Sequence, residues 1–252
     1  MPTPNLYVPM MGVVLSGEKV VDVSGEVIRL VRGDAFVVPL TLPVVGTISQ
    51  ASSQHPYRLL RLSLNTEVIS ELQVEMPDDA PKKVQAVQPL MTRKATTRLL
   101  IAIDRMVSLL DQTEDQDILA PLYEREALYR LCQDFGPALH GLVRSDSNHA
   151  KVVKATHWLA ENMTIRYEAH VLAELVQMSV PSLNRHFRHT VGMSPLEYQK
   201  HLRLHEAKRL LSIAKEPGLV SQEVGYSSPS QFSREFRRLF GISPSEFSMH
   251  IG

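Results

Sequence analysis

Hydrophobic positions change their period once along this chain. From Leu6 to about Leu64, short runs of Val, Ile, Leu and Phe are broken by Ser16-Gly17, Ser24-Gly25 and Arg32-Gly33-Asp34, with Pro39 and Pro43 further on. Strands at Val20–Val23, Val27–Val31 and Ala35–Val38 follow one another at hairpin spacing, which predicts a small β-barrel or sandwich. A helix is expected at Thr66–Glu75, and the prolines and aspartates of Met76–Pro81 read as a break. Beyond it the period becomes helical. Leu99, Leu100, Ile103, Val107 and Leu110 fall on one helical face, Asp111–Asp117 reads as an acidic loop, and Leu122, Leu128 and Leu131 stripe a second helix from about Pro121 to Cys132. This pair serves either as a dimer interface or as the barrel's packing partner. Arg144–His149 is polar and reads as a linker, and from Ala150 onward everything reads helical.

The helical end contains one text twice. Ser179–Tyr198 and Ser228–Phe247 align at an offset of 49 positions, with eight of twenty residues identical. Such self-similarity marks a duplicated supersecondary unit. In the first unit a short helix (Val171–Val176) and a Gln177-Met178 turn precede a helix capped by Ser179 and running to about Thr190. Leu183 and Phe187 face inward, which leaves Ser182, Asn184, Arg185 and Arg188 outward, and Gly192 ends the helix in a left-handed cap. The second unit repeats this with Leu219–Val224, the turn Gly225-Tyr226-Ser227, N-cap Ser228, and a helix to Leu239 stopped by Gly241. Phe232 and Phe236 pack inward, so Ser230, Gln231, Ser233, Arg234 and Arg237 point out. Each unit reads as a helix-turn-helix, whose second helix enters the major groove.

Each glycine is followed by Ser-Pro-x-Glu (Ser194–Glu197 and Ser243–Glu246), a capping box that starts a new helix. The first such helix, Pro195–Ile213, has Leu196, Leu202, Ala207, Leu210 and Leu211 as its expected buried positions. Its nineteen residues span roughly 28 Å. Successive major-groove faces lie about 34 Å apart, so a rod of this length can set two recognition helices into consecutive grooves without dimerising.

Composition sharpens this picture. Among 252 residues, Lys+Arg and Asp+Glu balance at 27 each, yet residues 1–150 carry a net of −4 and residues 151–252 a net of +4. A basic, polyanion-facing half and an acidic half are expected. The single cysteine, Cys132, excludes an intrachain disulfide and a cysteine zinc site. It reads as a buried small apolar residue, with a thiol sensor as the alternative. No signal peptide and no apolar run of membrane length is evident, so a soluble, cytoplasmic protein without a membrane partner is expected.

Arg185 and Arg234 suit bidentate pairing with guanine, and Asn184 suits adenine. Arg237 and Arg238 sit where phosphate contact is expected, though a solvated helix face also explains them. Seven of ten histidines lie in the C-terminal half. His186, His189, His201 and His205 read as solvent-exposed helical side chains that gain charge at lower pH, rather than as metal ligands. The β-rich segment holds one histidine, His55, whereas a barrel metal site needs two or three plus a carboxylate. With no nucleophile–base pair and no glycine-rich phosphate loop, no cofactor, metal or enzymatic activity is expected.

"LAELVQMSVPSLNRHFRHTVGMSPLEYQKHLRLHEAKRLL" followed by "VGYSSPSQFSREFRRLFGISPSEF" resembles the AraC/XylS family of bacterial transcription regulators, a likeness covering Ala150 to the C-terminus. "PLTLPVVGTISQASSQHPYRLLRLSLN" (39–65) and "LAPLYEREALYRL" (119–131) are similar to the effector-binding domain of one branch of that family. The resemblance implies an α+β chain. By that resemblance residues 1–145 are expected to form a cupin-like effector-binding and dimerisation domain, helical over about 88–145, and residues 150–252 an all-α DNA-binding domain, with helix-turn-helix units at about 169–191 and 218–240. It places base contacts at Pro181, Asn184, Arg185, Ser230, Ser233 and Arg234, and phosphate contacts at Arg188 and Arg237. Double-stranded DNA, a small-molecule effector and, for an activator, RNA polymerase are the implied partners, with a homodimer left open.

Four departures bear on these expectations. Gln177 stands where the family's first turn has glycine, and Ser221 where the second unit has alanine. The segment between Leu211 and Val224 is one residue short, with Pro217-Gly218 inserted, so a truncated first helix and weakened packing are expected there. Relatives also carry a longer segment before the first strand, which predicts a missing strand or arm. Two rivals remain: a metal-dependent cupin enzyme with a helical appendage, and a regulator that has lost DNA binding and acts by heterodimerising.

Overall fold

Two four-stranded antiparallel sheets, ordered β1-β6-β3-β4 and β7-β2-β5-β8, form the N-terminal half. The computed structural model describes residues 2–76, 88–143, 148–213 and 215–251. Its strands are β1 (Thr3–Tyr7), β2 (Met10–Ser16), β3 (Glu18–Val23), β4 (Glu26–Val31), β5 (Asp34–Val38), β6 (Leu42–Gln50), β7 (Arg58–Ser63) and β8 (Met91–Lys94). The three strands expected from hairpin spacing are β3, β4 and β5. Ser24 (φ 54°) and Gly25 (φ 94°) both adopt positive φ between Val23 and Glu26, which are partners across the β3–β4 ladder. Two such residues match the right-handed twist of the flanking strands.

The second sheet is buried on both faces, because successive side chains of a strand point to opposite sides. Met10, Val14, Phe36 and Val38 join a cluster that includes Tyr7, Val21, Leu30, Leu42 and Val44 of the first sheet. Met11, Val13, Ala35 and Val37 instead meet α1 (Thr66–Glu75), α2 (Thr97–Ser108) and α3 (Gln116–Val143). The helices therefore serve as the barrel's packing partner.

Several helical expectations need correction here. Asp111–Asp117 is not one loop: short 3-10 turns at Leu109–Asp111 and Thr113–Asp115 lead into α3 at Gln116. That helix runs past Cys132 because Phe135 and Leu139 continue its buried stripe toward the sheet. Leu100, Val107, Leu110 and Leu122, assigned to buried faces, are exposed, together with Ile101 and Ile118. The sheet accepts only a narrow ridge of α2, namely Leu99, Ala102 and Ile103. The break expected at Met76–Pro81 begins at Met76, the C-cap of α1, and its remainder lies outside the described residues. Most of the expected linker, Arg144–Ser147, lies outside them too.

The C-terminal half comprises α4 (Asn148–Glu161), α5 (Ala169–Leu175), α6 (Val180–Val191), α7 (Pro195–Ser212), α8 (Pro217–Glu223), α9 (Pro229–Phe240) and α10 (Pro244–Ile251). Helix α7 contributes to two cores. Its Tyr198 and Leu202 belong to the cluster shared by the barrel, α4, α5 and α6. Its Leu204, Ala207, Leu210 and Leu211 pack with Val220, Val224, Phe232 and Phe236. Leu196, expected to be buried, is exposed. Tyr198 takes the inward role instead: its ring meets Phe187 edge-on at 5.5 Å, and its hydroxyl donates to the Thr41 carbonyl at 2.9 Å. With Ser24 Oγ donating to the Val191 carbonyl at 3.2 Å, this bond fastens the first helical unit to the barrel.

Candidate nucleic-acid interface

Both units are built by local caps. Ser179 accepts from the Ser182 amide and Ser228 from the Gln231 amide, so each second helix begins at the serine expected. Gly192 (φ 83°) and Gly241 (φ 81°) close those helices in the left-handed region, where a side chain would be strained. Both helices have twelve residues. The capping boxes also form: Ser194 and Glu197 bond reciprocally, as do Ser243 and Glu246. The Ser194 hydrogen bonds hold the Glu197 carboxyl below the usual carboxylate range.

The second unit's first helix is not truncated, contrary to the expectation from the sequence. Helices α5 and α8 each contain seven residues. Pro217 sits in the first turn of α8, where its missing N–H costs nothing, and the Glu216 carboxylate accepts from the Gly218 and Leu219 amides, both at 2.9 Å. Pro217-Gly218 is therefore a helix start. The departures at Gln177 and Ser221 are local. Gln177 adopts φ 53°, a conformation costing a non-glycine residue about 1–2 kcal/mol. Ser221 is fully buried with its hydroxyl unpartnered, costing about 1–3 kcal/mol.

The inward and outward faces fall as expected. Leu183, Phe187, Phe232 and Phe236 are buried. On α6, Pro181, Arg185 and Arg188 are exposed, while Ser182 and Asn184 are half-buried. On α9, Ser230, Ser233, Arg234, Arg237 and Arg238 are exposed. Gln231 is half-buried, and its amide donates to Glu235 at 3.2 Å. Glu235 was not singled out in the sequence. It accepts from Lys200 of α7 at 2.7 Å and from the Tyr226 hydroxyl at 2.7 Å. Burial opposes its ionisation, but hydrogen bonds from Lys200, Tyr226 and Gln231 outweigh that and keep its pKa low. Its spacing four residues beyond Gln231 was the available signal. Gln231, Arg234, Glu235 and Arg238 line a cleft of about 380 Å³ on this face.

His201 and His205 are not the exposed side chains expected. The His205 ring meets Phe240 edge-on at 5.4 Å, and burial lowers its pKa to about 4. Burial also lowers that of His201, with Arg238 adding to the effect and Glu197 opposing it. Mild acid therefore leaves His205 neutral, and it adds no charge for a polyanion. Cys132 is buried and its thiol is pushed up to about 11, which favours packing over a thiolate sensor.

A lysine points into the barrel. Lys19 shares its strand face with buried Val21 and Val23, and its ammonium donates to the Tyr7 hydroxyl at 2.8 Å. Gly46 makes the room, since a Cβ there would meet Lys19 Cε at 2.5 Å. Among the described residues no carboxylate pairs with Lys19, whose pKa burial lowers. Tyr7 and Tyr57 are pushed up to about 12 by burial, and the Tyr57 hydroxyl is buried without a hydrogen-bond partner.

A family model described as the AraC-type transcriptional regulator N-terminus matches residues 1–137, more than half of the chain. The chain belongs to the AraC-type transcriptional regulators. A helix-turn-helix domain model matches residues 172–249 of this AraC-type regulator, spanning both α6 and α9. The lactose operon transcription activator of Staphylococcus xylosus is 24% identical over 234 residues, covering 89% of this chain and 78% of that protein. An unliganded ToxT variant from Vibrio cholerae matches the fold with a TM-score of 0.66 at 10% identity, over 100% of this chain and 94% of that one. ToxT bound to unsaturated fatty acid matches with a TM-score of 0.61 at 11% identity, over 99% and 92%. This AraC-type protein is thus a DNA-binding transcription regulator. Among its described residues no helix is long and apolar enough to cross a membrane, and no three His, Cys, Asp or Glu side chains converge as a metal site.

Proposed function

We propose that α6 and α9 enter two consecutive major-groove segments on one face of a duplex, in the cytoplasm, and that the protein activates transcription there. Arg185, Asn184, Pro181, Ser230, Ser233 and Arg234 read bases, with Ser182 and Gln231 at the groove edge and Arg188 and Arg237 on phosphates. One observation carries this: two equal helices present the same outward arginine face and are joined by α7, whose eighteen residues span about 27 Å. Footprinting on a duplex enriched by the protein from a random pool should show two protected segments about 10 base pairs apart. Binding should weaken steeply with salt, because phosphate contacts release counterions. Protection of a single segment would sink the proposal. Sedimentation of the same complex distinguishes one bound copy from two paired through the exposed apolar side chains of α2 and α3.

The barrel is the sensing half in this proposal, and Lys19 with Tyr7 and Tyr57 suits the carboxylate of a small organic acid. The half-buried Lys19 ammonium has no carboxylate partner among the described residues and the buried Tyr57 hydroxyl has no hydrogen-bond partner, so a carboxylate reaching either would complete it. The fatty acid bound by ToxT supports that ligand class. With oleate as probe, binding of the wild-type protein to its duplex should change, whereas Lys19→Met should bind the duplex normally and ignore oleate. Equal responses from both proteins would exclude Lys19 as the anchor.

A further inference from the structure

We infer that Arg203 is a positioning residue that sets the register between the two recognition helices; the inference rests on the DNA-binding proposal above. Arg203 lies midway along α7, and its guanidinium donates to three backbone carbonyls belonging to two different units. Nε reaches the Met163 carbonyl at 2.5 Å and Nη2 the Ile165 carbonyl at 2.9 Å, both in the loop between α4 and α5. Nη1 reaches the Gly225 carbonyl at 2.9 Å, in the turn between α8 and α9. One turn earlier on α7, buried Gln199 donates to the Ile165 carbonyl at 2.9 Å and the Asn162 carbonyl at 3.4 Å.

These bonds hold two backbones in direct contact. A Cβ on Gly225 would lie 2.6 Å from the Thr164 carbonyl oxygen and 2.9 Å from Thr164 Cα. The second unit's turn therefore sits against the first unit's loop with no side chain between them. Apolar packing holds each unit on α7 but is non-directional, so it leaves some freedom to turn one unit against the other. A planar fork bonded to both units removes that freedom, which an ammonium with a single point of charge would do poorly. The Arg203 guanidinium also lies over the Tyr226 ring at 5.8 Å, and Tyr226 bonds to Glu235 on α9 at 2.7 Å. The orientation of this fork is thus passed to the second recognition helix itself.

Register matters because DNA is a screw. Each base pair inserted between two half-sites moves the second by about 3.4 Å and turns it by about 34°. A rigid pair of units rejects such a shift, and a pair able to swing absorbs it.

The test uses the full chain and the duplex it enriches from a random pool, with one, two or five base pairs inserted between the protected segments. Wild-type protein should lose about tenfold in affinity at the first insertion, whereas Arg203→Ala should lose less than about threefold at each insertion. Both should bind an isolated half-site equally, a readout that damage to either unit would lower. Arg203→Lys, which keeps the charge and stem, should fall between them. It carries the test by itself if Arg203→Ala fails to fold. Variants that keep the full wild-type spacing penalty overturn the inference. Failure to enrich any duplex would remove the DNA-binding proposal, and the inference with it.

Discussion

Alanine at both Arg185 and Arg234 should weaken binding to the preferred duplex by about 2–6 kcal/mol, with each single change contributing about 1–3 kcal/mol. The two side chains occupy different helices, so their effects should be nearly additive. Each is exposed and free of carboxylate partners among the described residues, so neither substitution removes a buried contact. The loss should be selective. Each single variant should relax one base position, while Arg237→Ala should weaken all duplexes alike and flatten the salt dependence. Gel-shift titrations at constant salt against site variants separate these outcomes. Unchanged affinity after either arginine substitution would mean that the assigned groove face is wrong.

Phe236→Ala should cost the second unit about 3–5 kcal/mol of stability. Phe236 is fully buried and touches Phe232, Phe240 and Phe247 at ring-centroid distances of 5.7, 4.6 and 6.0 Å. These rings belong to a cluster separate from the one shared by the barrel and the first unit. The damage should therefore stay local. A thermal melt should split, with a low transition for the second unit, and the footprint should shrink to the segment held by α6. A single unshifted transition would show that the aromatic cluster does not hold this unit together.

The separation of clusters also bears on signalling. Tyr198 and Ser24 tie the first unit to the barrel through Thr41 and Val191, while Arg203 ties the second unit to the first and Gln199 holds α7 to the same Asn162–Ile165 loop. A ligand that shifted the barrel would act directly on the first unit and reach the second through α7 and the Met163–Ile165 loop.

Features set within three or four residues were legible in the chain. The Ser179 and Ser228 caps, the Gly192 and Gly241 stops and the Ser194–Glu197 box are local hydrogen-bonding arrangements, so residue type at fixed spacing determines them. The inward Leu183–Phe187 and Phe232–Phe236 pairs follow from helical period alone, and that left the outward arginines identifiable. The resemblance supplied the double-sheet half and the regulatory role, which period and composition left open between barrel and sandwich. Pro217-Gly218 misled because a deletion counted along the chain ignores the Glu216 cap that turns the pair into a helix start.

What the tertiary structure alone decided is which neighbour each face meets. Period places Leu122, Leu196 and His205 on helices without saying whether another element covers them; packing leaves the two leucines exposed and half-buries the histidine against Phe240. Lys19 meets the Tyr7 hydroxyl only because β1 and β3 both pair with β6, and Arg203 bonds to carbonyls some twenty to forty positions away. Backbone carbonyls carry no residue identity, so no motif could announce that contact. By itself the amino-acid chain determined the two twelve-residue helices α6 and α9 and their outward chemistry, because those depend on short-range caps and period. The register between them is a long-range property, decided where distant segments meet.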